Sequence, residues 1–153
     1  MQRDPRVLRQ LNAVLDLRDM QREQAERTHE RCREALGDAR RRLDDDLSVY
    51  HEVLHRLGEQ SRAGALLDPS QHEQRLLGQQ AAQAHLESRR QAVAEAHDHQ
   101  QQALAALLAC KVRQDVAAKA CEKLGDAVRL DALRQEMIDV FDSGLARENA
   151  HGL

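Results

Sequence analysis

The sequence predicts an all-α fold, a long antiparallel two-helix coiled-coil hairpin, and three observations carry that prediction. The first is composition: of 153 residues, 41% are hydrophobic and 32% charged, yet only 1% are aromatic, namely one Tyr and one Phe. Ala, Leu, Gln, Glu and Arg dominate, all good helix formers, whereas the β-branched and aromatic residues that several strands need are scarce. The second is spacing. Apolar residues recur at alternating three- and four-residue steps over the first sixty positions, the mark of a narrow seam and not of a broad globular face. The third is punctuation, because Gly58, Gly64 and Pro69 gather between two long stretches that read as helix.

Helix one is expected over about 5–58. Pro5 suits a first helical turn, and Asp4 can cap it. With Leu8 at heptad position a, the a column reads Leu8, Leu15, Arg22, His29, Leu36, Leu43, Tyr50, Leu57, and the d column reads Leu11, Arg18, Ala25, Cys32, Ala39, Asp46, Val53. The polar breaks at Arg18, Arg22, His29 and Asp46 fix register at a cost in stability, or loosen the pair so that it exchanges partners; Gln100, Lys111 and Gln114 stand at comparable levels on the second helix. A turn at about 59–69 follows. Asp68 then caps, with Pro69 in the first helical position.

Helix two is expected over about 70–145, with a frayed tail at 146–153. Its apolar positions run Leu86, Val93, Ala96, Ala103, Leu107, Cys110, Ala117, Cys121, Leu124, Val128, after which the phase slips to Leu130, Leu133, Met137, Val140 and Phe141. Pairing through the turn sets partner numbers that add to about 130. The charges agree with an antiparallel pair: residues 1–42 hold 11 Arg against 8 acidic residues, whereas 122–153 hold 4 basic against 7 acidic. Helix two outruns helix one, so residues 128–145 overhang with the densest bulky apolar cluster in the chain. That cluster either folds back or self-associates to complete a core, or it is a docking helix for another protein.

Several function classes are disfavoured. A net charge of -3 gives no basic field for nucleic acid, and no glycine-rich phosphate loop or aromatic stacking platform is present. No stretch approaches a membrane span, and the N-terminal residues lack the apolar centre of a leader, so the expected location is cytoplasmic. Cys32, Cys110 and Cys121 are odd in number and widely spaced, which fits reduced seam thiols.

One motif invites chemistry. His51-Glu52-Val53-Leu54-His55 matches H-E-x-x-H, the helical pair of zinc ligands with an intervening general base. The heptad nevertheless puts His51, Glu52 and His55 at b, c and f, on the solvent side, where no walls surround a metal. A third ligand is missing too, since Ser61 occupies the place of an extended motif's last ligand. The match is read as chance: no metal, no cofactor and no catalytic residue are expected. A metallopeptidase remains a remote third reading, which stoichiometric zinc and a Glu52→Gln loss of activity would support.

The opening Arg6-Val-Leu-Arg-Gln-Leu-Asn-Ala-Val-Leu-Asp-Leu-Arg18, followed by Glu, Gln and Ala-rich helix, resembles the FliJ/YscO family, the stalk proteins of flagellar and type III secretion export systems. That resemblance implies a non-enzymatic antiparallel coiled coil, similar to the central shaft of rotary ATPases, that contacts the export ATPase, the export gate or secretion chaperones. Such a protein would be cytoplasmic, or peripheral at a secretion apparatus, and a monomer or weak homo-oligomer. Leu133, Met137 and Phe141 of the overhang, with Arg18 and Arg22 of helix one, are the candidate partner-binding residues. The competing class is a self-associating adaptor or scaffold with no motor partner.

Overall fold

A computed structural model describes residues 5–62, 64 and 68–152. Two helices pack against each other: α1 is Pro5–Arg62 and α2 is Pro69–His151. No strand occurs among the described residues. The all-α two-helix hairpin expected from spacing is the fold.

Local chemistry sets the ends. Asp4, the expected cap of α1, lies outside the described residues. At α2 the cap is as expected: the Asp68 carboxylate accepts the Ser70 amide at 3.1 Å, and the Asp68 carbonyl accepts the His72 amide at 3.0 Å. Gly64 has φ of 72°, the left-handed conformation that permits the reversal. Two boundaries differ from expectation. Gly58 does not end α1, which continues four residues to Arg62, with the Ser61 hydroxyl donating to the Leu57 carbonyl at 3.0 Å. One helical glycine costs only about 1 kcal/mol, which packing at Leu54 and Leu57 offsets. At the other end, where a frayed tail was expected from 146, the helix runs through Ala146 to His151, and the Gly152 amide bonds to the Glu148 carbonyl at 3.0 Å.

The packing divides into two units, Met1–Ala25 with Leu107–Leu153, and Glu26–Ala106. In the second unit, Leu36 and Leu86 are buried, and so is Ala103. Polar side chains bridge α1 to α2 at intervals along this seam. His29 pairs with Gln100 at 3.3 Å, Asp46 with Arg89 at 2.8 Å, and the Tyr50 hydroxyl accepts from Gln83 at 3.5 Å, partners whose numbers add to between 129 and 135. The register departs from a strict heptad once. Val53, expected at d, is 48% exposed, and Leu54 turns inward in its place. Adjacent apolar residues both satisfy the pattern, and near the turn the chain takes four residues before three, a local change of winding.

In the first unit the seam runs through Leu8, Leu11 and Leu15 on α1, and through Leu107, Cys110, Ala117, Cys121, Leu124 and Val128 on α2; Leu107 and Ala117 are its buried members. Gln114 donates to Asp19, which sets the level of one helix against the other. Lys111, expected at the interface, is exposed instead.

Candidate protein-docking surface

Past Val128 the seam's own phase becomes mixed, running through Asp131, Gln135, Ile138, Asp142 and Leu145, so the apolar stripe is no longer continuous. Most of the bulky residues lie off that phase. At about 100° per residue, Leu130, Met137 and Phe141 share one line, flanked by Leu133 and Val140 on one side and by Ile138 and Leu145 on the other. The resulting face spans on the order of 160°, wider than the strip that a single partner helix covers. All seven side chains are exposed, from 45% at Leu145 to 72% at Val140, with Met137 at 70% and Phe141 at 68%. The segment does not fold back to complete a core within this chain. Local side-chain pairs support the helix here: Arg134 pairs with Asp131 at 3.8 Å, Arg129 with Asp126 at 3.7 Å, and Gln135 donates to Asp139 at 3.1 Å.

Leu133, Met137 and Phe141 therefore share one surface. Arg18 and Arg22 do not join them. Both are half-buried at the seam, where Arg18 donates to the Gln21 side chain at 3.0 Å, and the Asp19–Gln114 bond puts them level with residues near 111–115. That is about 27 Å short of Leu133 at 1.5 Å per helical residue.

A second group of exposed apolar residues was not singled out from the sequence. Val7, Val14 and Leu17 on α1, and Val112 and Val116 on α2, are 42–64% exposed. The first two sit one position before the seam residues Leu8 and Leu15, at heptad position g; Leu17 and Val116 take position c, and Val112 position f. In an antiparallel pair the g positions of both helices line the same flank, with c beside them. The register makes Leu17 level with Val116, and Val14 level with Ala120. The available signal was partial: at g and c, where a solvated coil normally carries charge, Val7, Val14, Leu17, Val116, Ala120 and Ala127 are apolar while Gln10, Arg113 and Lys123 are not.

His51, Glu52 and His55 are all exposed and otherwise engaged. Glu52 accepts from Arg56 at 2.5 Å, His55 meets Glu59 at 3.2 Å, and the His51 ring tilts against Tyr50 with centroids 6.0 Å apart. No group of three metal-ligating side chains occurs among the described residues. A shallow groove of about 650 Å³ beside Tyr50, His51, Gln83, Glu87 and Arg90 is lined by mixed polar and apolar atoms with no convergent set of charges.

The most specific polar cluster is at Asp46. One carboxylate oxygen accepts from Arg89 Nε and lies against His85 Nε2, each at 2.8 Å. The Arg89 hydrogen bond, opposed by partial desolvation and aided by His85, holds the Asp46 carboxyl below the ordinary carboxylate range. The sequence marked Asp46 as a break in the seam; its two partners follow from the register, which brings α2 residues 85–89 level with it. This cluster binds helix to helix.

No helix among the described residues is long and apolar enough to cross a membrane. Comparison with protein-family models, with curated proteins and with solved structures finds no match to this chain.

Proposed function

We propose that this chain is a non-enzymatic coiled-coil stalk or escort component of a type III secretion export apparatus, contacting the export ATPase, the export gate or secretion chaperones. One observation supports a docking role above others: α2 carries seven exposed bulky side chains on one face after its seam with α1 has ended. A coiled coil with no further partner has no use for such a face, which opposes folding and invites association. The secretion context comes from the resemblance of the Arg6–Arg18 segment and from the two-helix layout, which suits insertion into a ring-shaped ATPase by steric and electrostatic fit. No bond-making chemistry is part of this reading. Its test is to mix the protein with its cognate export ATPase and to measure hydrolysis and hexamer formation. Stimulated hydrolysis with more hexamer is expected; absence of binding together with unchanged hydrolysis overturns the proposal.

A further inference from the structure

In the first unit α1 offers α2 the seam positions Leu8, Leu11, Leu15, Arg18, Arg22 and Ala25, and every one of them is half-buried and none buried. Only the first three are bulky and apolar. A guanidinium at a seam position loses part of its hydration, a cost that aliphatic carbons do not bear, so Arg18 and Arg22 hold the helices together less well than Leu would in the same places. Ala25 contributes a single methyl. On the facing helix Leu107 and Ala117 are buried by this contact, Cys110, Cys121, Leu124 and Val128 are half-buried, and Gln114 donates to Asp19.

The α1 seam of the second unit is built from heavier parts. Leu36 is buried, Leu43, Tyr50, Leu54 and Leu57 are half-buried, and Asp46 accepts from Arg89 and lies against His85, each at 2.8 Å. The packing divides after Ala25 on α1 and before Leu107 on α2, and units that open cooperatively tend to follow such divisions. A helix as short as residues 5–25 is marginal in water on its own, so this arm keeps its structure chiefly through Leu8, Leu11 and Leu15.

We propose that residues 5–25 of α1 are a detachable arm, which separates from α2 as one unit while Glu26–Ala106 stays paired. The arm is thereby an intramolecular cover for the α2 stripe Leu107, Cys110, Ala117, Cys121, Leu124 and Val128. Its open form is a minor one in water, because the three leucines lose their burial in it. Opening exposes little area compared with melting the whole hairpin, so it responds weakly to urea, and global unfolding overtakes it as denaturant is added. The bared stripe precedes the 130–145 segment on the same helix, so a partner that grips both competes with the arm and shifts it toward the open form. That consequence rests on the docking reading above, whereas the opening itself does not.

Site-resolved hydrogen exchange in water and in low urea tests the arm, with iodoacetamide alkylation of Cys110 and Cys121 testing the cover. In the wild type the amides of 8–25 are expected to share one opening constant, at least about tenfold above that of 36–50 and nearly independent of low urea. Leu36→Val removes one methylene from the second unit, so exchange at 36–50 should rise about fourfold while exchange at 8–25 stays unchanged. Leu11→Ala weakens a contact that is lost in both kinds of opening. It should raise exchange about five- to tenfold in both stretches, and as much at 20–25 as at 8–15. Alkylation of the two cysteines should follow the arm, raised by Leu11→Ala and unmoved by Leu36→Val. Exchange at 8–25 that rises with Leu36→Val as much as at 36–50 overturns the proposal, because the hairpin then opens all at once. So does a Leu11→Ala effect confined to 8–15, which is fraying, and so does alkylation that ignores Leu11→Ala, since α2 is then not uncovered.

Discussion

Leu107 and Leu108 are neighbours in sequence with opposite surroundings, and replacing each by Ala tests the seam directly. Leu107 is 7% exposed and Leu108 53% exposed. Leu→Ala removes three carbons, and at about 0.8 kcal/mol per buried methylene that is a loss of some 2.4 kcal/mol at Leu107. A cavity would add to this in a deep core, but a seam one residue deep collapses or admits water, so Leu107→Ala should cost about 2–3 kcal/mol, the lower part of the range for core truncations. At Leu108 less area is lost and Ala is the better helix former, so the change should stay within about 0.5 kcal/mol. Urea unfolding followed by circular dichroism, at one fixed protein concentration, measures both as midpoint shifts at constant slope. Equal costs at the two positions would refute the assigned seam, and so would a larger cost at Leu108.

Further predictions concern the turn, the polar seam and the histidine motif. Gly58 is helical with open space around its Cα, so Gly58→Ala should stabilise by about 0.5–1 kcal/mol, whereas Gly64→Ala should destabilise by about 1 kcal/mol because of its positive φ; thermal melts read the two signs. Asp46 has a lowered pKa in the folded chain, so its bonds contribute above its ordinary value of about 4 and are lost as pH falls through the folded value. The melting difference between wild type and Asp46→Asn should accordingly be largest near neutrality and fade below about pH 4. Glu52→Gln should change stability by no more than about 0.5 kcal/mol, as for exposed i,i+4 pairs. The purified wild type should carry no stoichiometric zinc by elemental analysis, and one tightly held zinc per chain would reverse the reading of His51, Glu52 and His55.

The seam from Leu8 to Tyr50 was legible because its burial is one-dimensional: three-four spacing alone determines which side faces the partner, and the half-buried and buried positions follow it residue by residue. Val53 against Leu54 was not legible, because two adjacent apolar residues satisfy the pattern in either phase and only the approach to the turn decides. Gly58 and the 146–151 segment were misplaced for a related reason, since local propensity marks where a helix weakens and not where it stops. In the candidate surface, the overhang was readable from bulk and spacing. The side flank was not, because Val7, Val14, Leu17 and Val116 are each unremarkable until the register of α1 against α2 brings them to one side. The partners of Asp46 needed the same information.

Among the described residues no side chain is completely withdrawn from water, and the buried ones are Leu36, Leu86, Ala103, Leu107 and Ala117. A molecule held together along a line instead of within a volume exposes comparatively little new apolar area when it melts, and the heat-capacity increment of unfolding is set by that area. Its increment per residue should fall below the usual 12–15 cal/mol/K, and its stability should therefore vary with temperature along a flat, shallow curve. Such a protein unfolds over a broad interval on heating and is little affected by cold.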